Sequence, residues 1–365
     1  MNPRFTFYRG RRSAGSAGAR RWAIIALAGL LVLAFLLYRL RGASFQWSLF
    51  LTTLRQVDLG WLAAAMLLML LTYPSRALRW QVMLRPSGAT PGIGKLTSDT
   101  AIGFTAVILL GRVGEIVRPY LIALSAGLPL SSQLGAWILE RLLDLLAVLL
   151  LFGFALIRVP AGSSHAGPGL QWVLGAGGYL IAFVGAACLL FLVVFRRYSE
   201  QSQRRILSAV TFLPSNYYQR VQGLLASFSR GLESTRSPRL LALLVFHTAL
   251  LWTIMVGGYA ALFLAFSSTL HLQVLDTVVL LGFIAFGSAV QIPGIGGGMQ
   301  VATIVVLTQI YAVPLEAASS IAIFIWFITY LVIIPFGLFC AFRQGWNWSK
   351  LKQLSLEQMA KNQRP

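Results

Sequence analysis

Between Leu110 and Asp144, six ionisable residues, Arg112, Glu115, Arg118, Glu140, Arg141 and Asp144, stand in sequence that is otherwise as apolar as a membrane. An ionised side chain at a bilayer centre costs roughly 2.5 to 3.5 kcal/mol on insertion scales, so such a group persists only if its members pair or face a polar cavity. Three are acids and three are arginines, which lets them neutralise one another. Glu140 and Asp144 are four apart and share a helix face. The chemistry implied is recognition of a charged ligand inside the bilayer, with the arginines holding phosphate or another anion through paired N–H donors. The acids would orient those arginines or carry a coupling proton. The competing reading is a structural ion-pair knot that fixes helix packing.

A second candidate is Pro293-Gly-Ile-Gly-Gly-Gly298, followed by Gln300. A dinucleotide fingerprint would need a preceding strand and a soluble βαβ unit, so that reading is rejected. Gly294, Gly296, Gly297 and Gly298, with Gln300, are expected to form a polar tip within the membrane, or else to let helices pack closely. Arg76 and Arg79, in Arg76-Ala-Leu-Arg79-Trp80, are read either as anchors at a membrane edge or as an entrance that greets an anionic headgroup. His165, His247 and His271 are scattered, and Cys188 and Cys340 sit in apolar runs. Neither a metal site nor a cofactor is expected.

The elements that must position these residues follow from composition. The chain has 365 residues, 57% hydrophobic and 11% charged, with a net charge of +20 and a mean hydropathy of +0.75. A soluble globule would have about 25% charged residues, so a polytopic membrane protein is expected. Nearly all the Lys and Arg residues lie in short segments that bracket hydrophobic runs, as the positive-inside rule describes, which argues against nucleic acid as a partner. Residues 1–21 read as a disordered basic cytoplasmic segment and 22–342 as one transmembrane domain, with a basic cytoplasmic connector over 196–239 and a cytoplasmic tail over 343–365. Both termini are then cytoplasmic. Trp22 to Tyr38 reads as an uncleaved first span, Ala43 to Asp58 as an interfacial helix, and Leu59 to Tyr73 as a second span ended by Pro74.

Thr97 to Leu110 and Ile116 to Ala126 are each too short to cross roughly 30 Å of hydrocarbon, which predicts a re-entrant hairpin. Asp276 to Gln291 and Val301 to Tyr311 repeat that pattern. Gln133 to Ile157, Gln171 to Phe195, Leu240 to Phe266 and Glu316 to Phe342 read as full spans. A shift of 185 residues places Gly111 on Gly296, Glu115 on Gln300 and Pro129 on Pro314. The expected fold is therefore an all-α inverted repeat, with halves near 22–157 and 172–342, about six full spans and two re-entrant hairpins. Eight to ten spans is the alternative. Half-helix N-termini at Ile116 and Met299 would add partial positive charge near the midplane, as in alternating-access transporters.

Gly111-Arg-Val-Gly-Glu-Ile-Val-Arg-Pro-Tyr120, Glu140-Arg141-Leu-Leu-Asp144, Pro293-Gly-Ile-Gly-Gly-Gly298 and Leu78-Arg79-Trp80 together resemble the lysylphosphatidylglycerol synthase transmembrane-region family over roughly residues 20–345. That family is the flippase-like membrane half of the multiple peptide resistance factor, and it also occurs as stand-alone proteins. The resemblance implies a bacterial inner-membrane protein that moves lipids between leaflets. The tail after Phe342 is too short for the family's aminoacyl-transfer domain, so lipid aminoacylation is not expected. Many members carry an Arg-Glu pair after the second glycine-rich tip and an Arg in the last span, where this chain has Met299, Gln300 and Trp326. The expected function is translocation of an anionic phospholipid or lipid-linked precursor, without enzyme activity. The alternative is an accessory subunit that presents lipid to an envelope glycosyltransferase or lipid-modifying enzyme. An intramembrane enzyme using Glu115, Glu140 or Asp144 would lack a nucleophile, a metal set and a cofactor motif.

Overall fold

The computed structural model describes residues 45–345, apart from residues 90, 159–175, 289–290 and 293–295, most of 191–236 and isolated positions within 176–190. Two compact units divide the chain, Met1–Ser48 and Leu49–Pro365, and the second contains every helix from Leu59 to Arg343. The expected first span, the basic connector over most of its length and almost all of the tail lie outside the described residues.

The described chain is helical. Its elements are α1 (Trp47–Arg55), α2 (Leu59–Leu84), α3 (Ile93–Leu110), a 3₁₀ turn (Gly111–Ile116), α4 (Val117–Ala126), α5 (Leu130–Arg158), α6 (Pro238–Ala265), α7 (Val274–Gly287), α8 (Gly298–Gln309), α9 (Leu315–Trp326), a π-helical segment (Phe327–Leu331) and α10 (Ile333–Arg343). Leu59–Ser87, Ile93–Leu110, Pro238–Ala265 and Leu315–Arg343 are long and apolar enough to cross a membrane. The 29-residue α5 is as long, but carries Glu140, Arg141 and Asp144. This is an integral, polytopic membrane protein.

Caps explain where several helices begin. Asp58 Oδ1 accepts from the Gly60 and Trp61 amides at 2.8 and 3.1 Å, which starts α2. Gln300 Oε1 accepts from the Gly297 amide at 2.7 Å at the head of α8.

Two expectations about boundaries are corrected. Pro74 does not end the second span, because α2 continues through it to Leu84. A proline removes one helical hydrogen bond, a loss that membrane helices tolerate where neighbouring helices pack around them. Met69, Tyr73, Ala77 and Trp80 are all buried on either side of it. The first hairpin's leading leg also starts earlier than expected, at Ile93, and its 18 residues reach about 27 Å. Only α4, α7 and α8, of 10, 14 and 12 residues, keep the expected half-depth length.

The repeat is visible in the packing. The shift that carries Gly111 onto Gly296 carries Leu130–Arg158 onto Leu315–Arg343, the bounds of α5 and of the α9–α10 unit. Gly282 of α7 lies against the backbone of Leu151 and Phe152 in α5. The reciprocal contact, Gly337 of α10 against Ala101 and Thr105 of α3, falls close to where exchanging the halves would put it. The corresponding helices α2 and α6 run antiparallel. Arg79 meets Thr248 at one end, and Leu68 and Met69 meet Gly258 at the other. An inverted repeat requires that arrangement.

Candidate functional site: an arginine-lined cavity

Glu140 sits on α5, fully buried, with four arginines within 3.6 Å of its carboxylate. Arg79 Nη2 donates to its Oε1 at 2.7 Å, Arg118 Nη1 and Nη2 donate to Oε1 and Oε2 at 3.1 and 2.5 Å, and Arg141 Nη2 donates to Oε1 at 3.2 Å. One turn along α5, Asp144 takes Arg79 in a fork of 2.6 and 3.2 Å. Thr248 on α6 receives a further Arg79 donor at 3.2 Å. Arg79, itself fully buried, thus bridges both carboxylates and ties α2 to α5 and α6.

Arg76 stands one turn before Arg79, with Nη1 3.6 Å from both Glu140 and Asp144. At that distance it feels their charge without spending its donors on them. Its guanidinium lies 4.8 Å over the Phe104 ring, and Arg118 covers the same ring at 5.2 Å and Trp80 at 4.5 Å. Trp80 is held in turn by Nε1 donating to Gln133 Oε1 at 3.0 Å.

The first hairpin delivers Arg118 to this network by a turn only glycine suits. Gly111 has φ of +67°, a region that costs other residues a steric clash. α4 then folds back on α3 closely enough that a methyl group at Gly103 would stand 2.4 Å from Arg118 Cβ.

In front of the network opens a cavity of about 780 Å³, within the range of small-ligand sites. Arg76, Arg118, Arg141, Glu115 and Asp144 line one end, while Arg79 and Glu140 form its floor from behind. Among the described residues, four arginines face three carboxylates across cavity and floor, leaving one positive charge over. The rest of the lining mixes apolar residues such as Val107, Ile108, Leu145 and Val148 with Thr72, Tyr73, Trp252, Tyr259, Thr329 and Tyr330.

The six-residue cluster is thus brought together around one cavity in the case of Glu115, Arg118, Glu140, Arg141 and Asp144. The Arg112 side chain lies outside the described residues. Arg76 and Arg79, expected as anchors or as an entrance, lie within the network itself, Arg79 fully buried and Arg76 on the cavity lining. The unbroken α2 carries them into the centre of the network.

The second glycine-rich tip is described in part. Gly294 lies outside the described residues. Gly296 and Gly297 form a two-residue antiparallel ladder with Gln291 and Ile292, Gly298 opens α8, and Gln300 caps Gly297. Among the described residues, Leu281, Ile284, Ala285, Ser288 and Met299 bring this hairpin to the cavity lining, and Gly297, Gly298 and Gln300 are not part of it. Tyr73, Trp252, Tyr259, Thr329 and Tyr330 also line the cavity, and because all are neutral they escape a search for charged residues. The spacing of Met69, Thr72, Tyr73 and Arg76 on one helix stripe was the signal available.

In sequence, the chain is similar to a glycosyltransferase, AglD, of Haloferax volcanii, with 25% identity over 299 residues, 75% of this chain. The match covers 47% of that relative, so the chain spans about half its length. No solved structure matches. The family model described as the lysylphosphatidylglycerol synthase transmembrane region matches residues 24–337, a span that holds the hairpins, the arginine network and the cavity, and the chain belongs to that family.

Proposed function

We propose that this protein moves an anionic phospholipid or lipid-linked precursor between the leaflets of a membrane, the headgroup resting in the arginine-lined cavity while its tails stay in the bilayer. One observation carries the reading. Arg76 and Arg141 both line the cavity, the Arg76 guanidinium makes no hydrogen bond to any described residue, and Arg141 spends one donor on Glu140. Each guanidinium has five donors, so the wall facing the cavity offers both unspent donors and excess positive charge. Phosphate matches that combination. A purely structural knot would consume its arginines instead. Glu140 and Asp144 are taken up by arginines, which leaves them poorly placed for acid–base chemistry and favours transport over catalysis.

We assign the protein to a bacterial inner membrane with both termini cytoplasmic, from the distribution of its arginines. The proposed ligands are membrane lipids. The test is headgroup translocation in liposomes. Wild-type protein should move an anionic lipid, and Arg141→Ala should abolish this while leaving the melting profile close to wild type, since the Arg141 side chain is 39% exposed. Wild-type rates in that variant would end the assignment.

The similarity to AglD favours a second reading, in which the chain presents lipid to a glycosyltransferase or lipid-modifying enzyme of the envelope. Reconstituted protein alone would then bind lipid and translocate none, and activity would require a co-purifying partner.

A further inference from the structure

The arginines occupy one end of the cavity, and the other end has a different chemistry. From Arg76, the α2 stripe passes through Tyr73 and Thr72 to Met69, ~10 Å away along the helix axis. On the antiparallel α6, Thr248 holds Arg79 at the charged end, and Trp252, Met255 and Tyr259 follow toward the other. The π-helical segment Phe327–Leu331 sets Thr329 and Tyr330 on the same lining, with the Thr329 and Tyr259 hydroxyls 3.1 Å apart. Single π turns recur at functional sites because they redirect side chains out of the helical register.

Several donors here are unspent. Tyr73 is 7% exposed, and its hydroxyl makes no hydrogen bond to any described residue. The buried Trp252 Nε1 likewise has no partner among the described residues. Buried donors of this kind are ordinarily satisfied, so a ligand that supplies acceptors gains by binding them. No carboxylate among the described lining residues stands outside the arginine end to balance a cation, and the neighbouring arginines repel one. Aromatic faces with hydroxyl and indole donors suit an uncharged, hydroxyl-rich group.

Building on the proposed lipid site, we infer that the headgroup carries an uncharged polyol or glycosyl unit beyond its phosphate, bound by Tyr73, Trp252, Tyr259, Thr329 and Tyr330. An amine-bearing headgroup would find no carboxylate partner among the described residues of this wall. Phosphate binds at Arg76, Arg118 and Arg141, and the hydroxylated unit lies toward Thr329 and Tyr330.

The test is lipid binding to the full-length protein in detergent, by native mass spectrometry, with phosphatidic acid, phosphatidylglycerol, phosphatidylinositol, phosphatidylethanolamine and lysyl-phosphatidylglycerol. One neutral hydrogen bond is worth about fivefold in affinity, so phosphatidylglycerol and phosphatidylinositol should bind about fivefold or more tighter than phosphatidic acid. The larger gain identifies which of the two, glycerol or cyclitol, fits better. Tyr73→Phe and Tyr330→Phe, nearly isosteric and checked by melting profile, should bring that ratio towards unity. Arg118→Gln should weaken all the anionic lipids. Equal affinity for all anionic lipids, or a preference for the amine-bearing ones, overturns the inference while leaving the anion site intact. Failure of every phosphate lipid to bind overturns the proposed function as well.

Discussion

Replacing Glu140 by glutamine gives the sharpest test of the arginine network. The glutamine keeps the shape of the side chain and one acceptor oxygen, but removes the charge to which Arg79, Arg118 and Arg141 donate within 3.2 Å. It also turns an amide NH₂ toward a guanidinium. Arg79 keeps Asp144, whereas Arg118 has Glu140 as its ion-pair partner among the described residues and is left as an uncompensated buried charge. Breaking a buried pair by removing one partner costs about 3–5 kcal/mol, whereas an exposed pair is worth about 0–1 kcal/mol. At about 2–4 °C per kcal/mol for a chain of this size, the melting temperature in detergent should fall by on the order of 10 °C. Arg141→Ala is the internal control. It removes one 3.2 Å donor from a side chain that is 39% exposed, and should shift the melting temperature by a few degrees at most while abolishing translocation. The two variants should therefore separate, one losing stability first and the other function first. If Glu140→Gln melts with wild type, the carboxylate does not hold the arginines as described and the network is not the keystone of the fold.

Other outcomes rest on the same geometry. Gly103→Val should displace Arg118, because the new Cβ would lie 2.4 Å from Arg118 Cβ. A cost of about 1–3 kcal/mol in thermal stability is expected, together with lost binding of anionic lipid. At the far end of α3, the buried Asp99 receives Lys95 Nζ at 3.0 Å, Ser125 Oγ at 2.5 Å and Gln344 Nε2 at 3.0 Å, which clasps the end of α10 to α3 and α4. Asp99→Ala should lower the melting temperature and speed proteolysis after Arg343. Gln344 Nε2 also donates to Ser98 Oγ at 2.7 Å, so Gln344→Ala, which removes both this bond and the one to Asp99, should likewise lower the melting temperature.

Much of this was legible in the sequence because it depends on local quantities. Apolar run lengths pointed to a polytopic helical protein, and the cost of charge in hydrocarbon singled out Glu115, Arg118, Glu140, Arg141 and Asp144. The shift relating Pro129 to Pro314 also placed the equivalent helices, since it maps the bounds of α5 onto those of the α9–α10 unit. At the second glycine-rich tip, the described Gly297, Gly298 and Gln300 stand outside the cavity lining. Glycine runs mark where a backbone turns, but not which cavity the turn faces.

Partners far apart along the chain were beyond the reach of such local signals. Pro74 reads locally as a helix end, yet packing on both sides of it keeps α2 whole, and this takes Arg79 from an apparent membrane edge to a site between Glu140 and Asp144, 61 and 65 positions away. No periodicity encodes that distance. Likewise Thr329 and Tyr330 reach the cavity through a π-helical segment whose register no hydropathy pattern shows. That charge had to be compensated inside the membrane was already dictated by the order of the amino acids. Which arginines do the compensating, and which face the cavity with donors to spare, was set by the fold, because it depends on helices meeting in space.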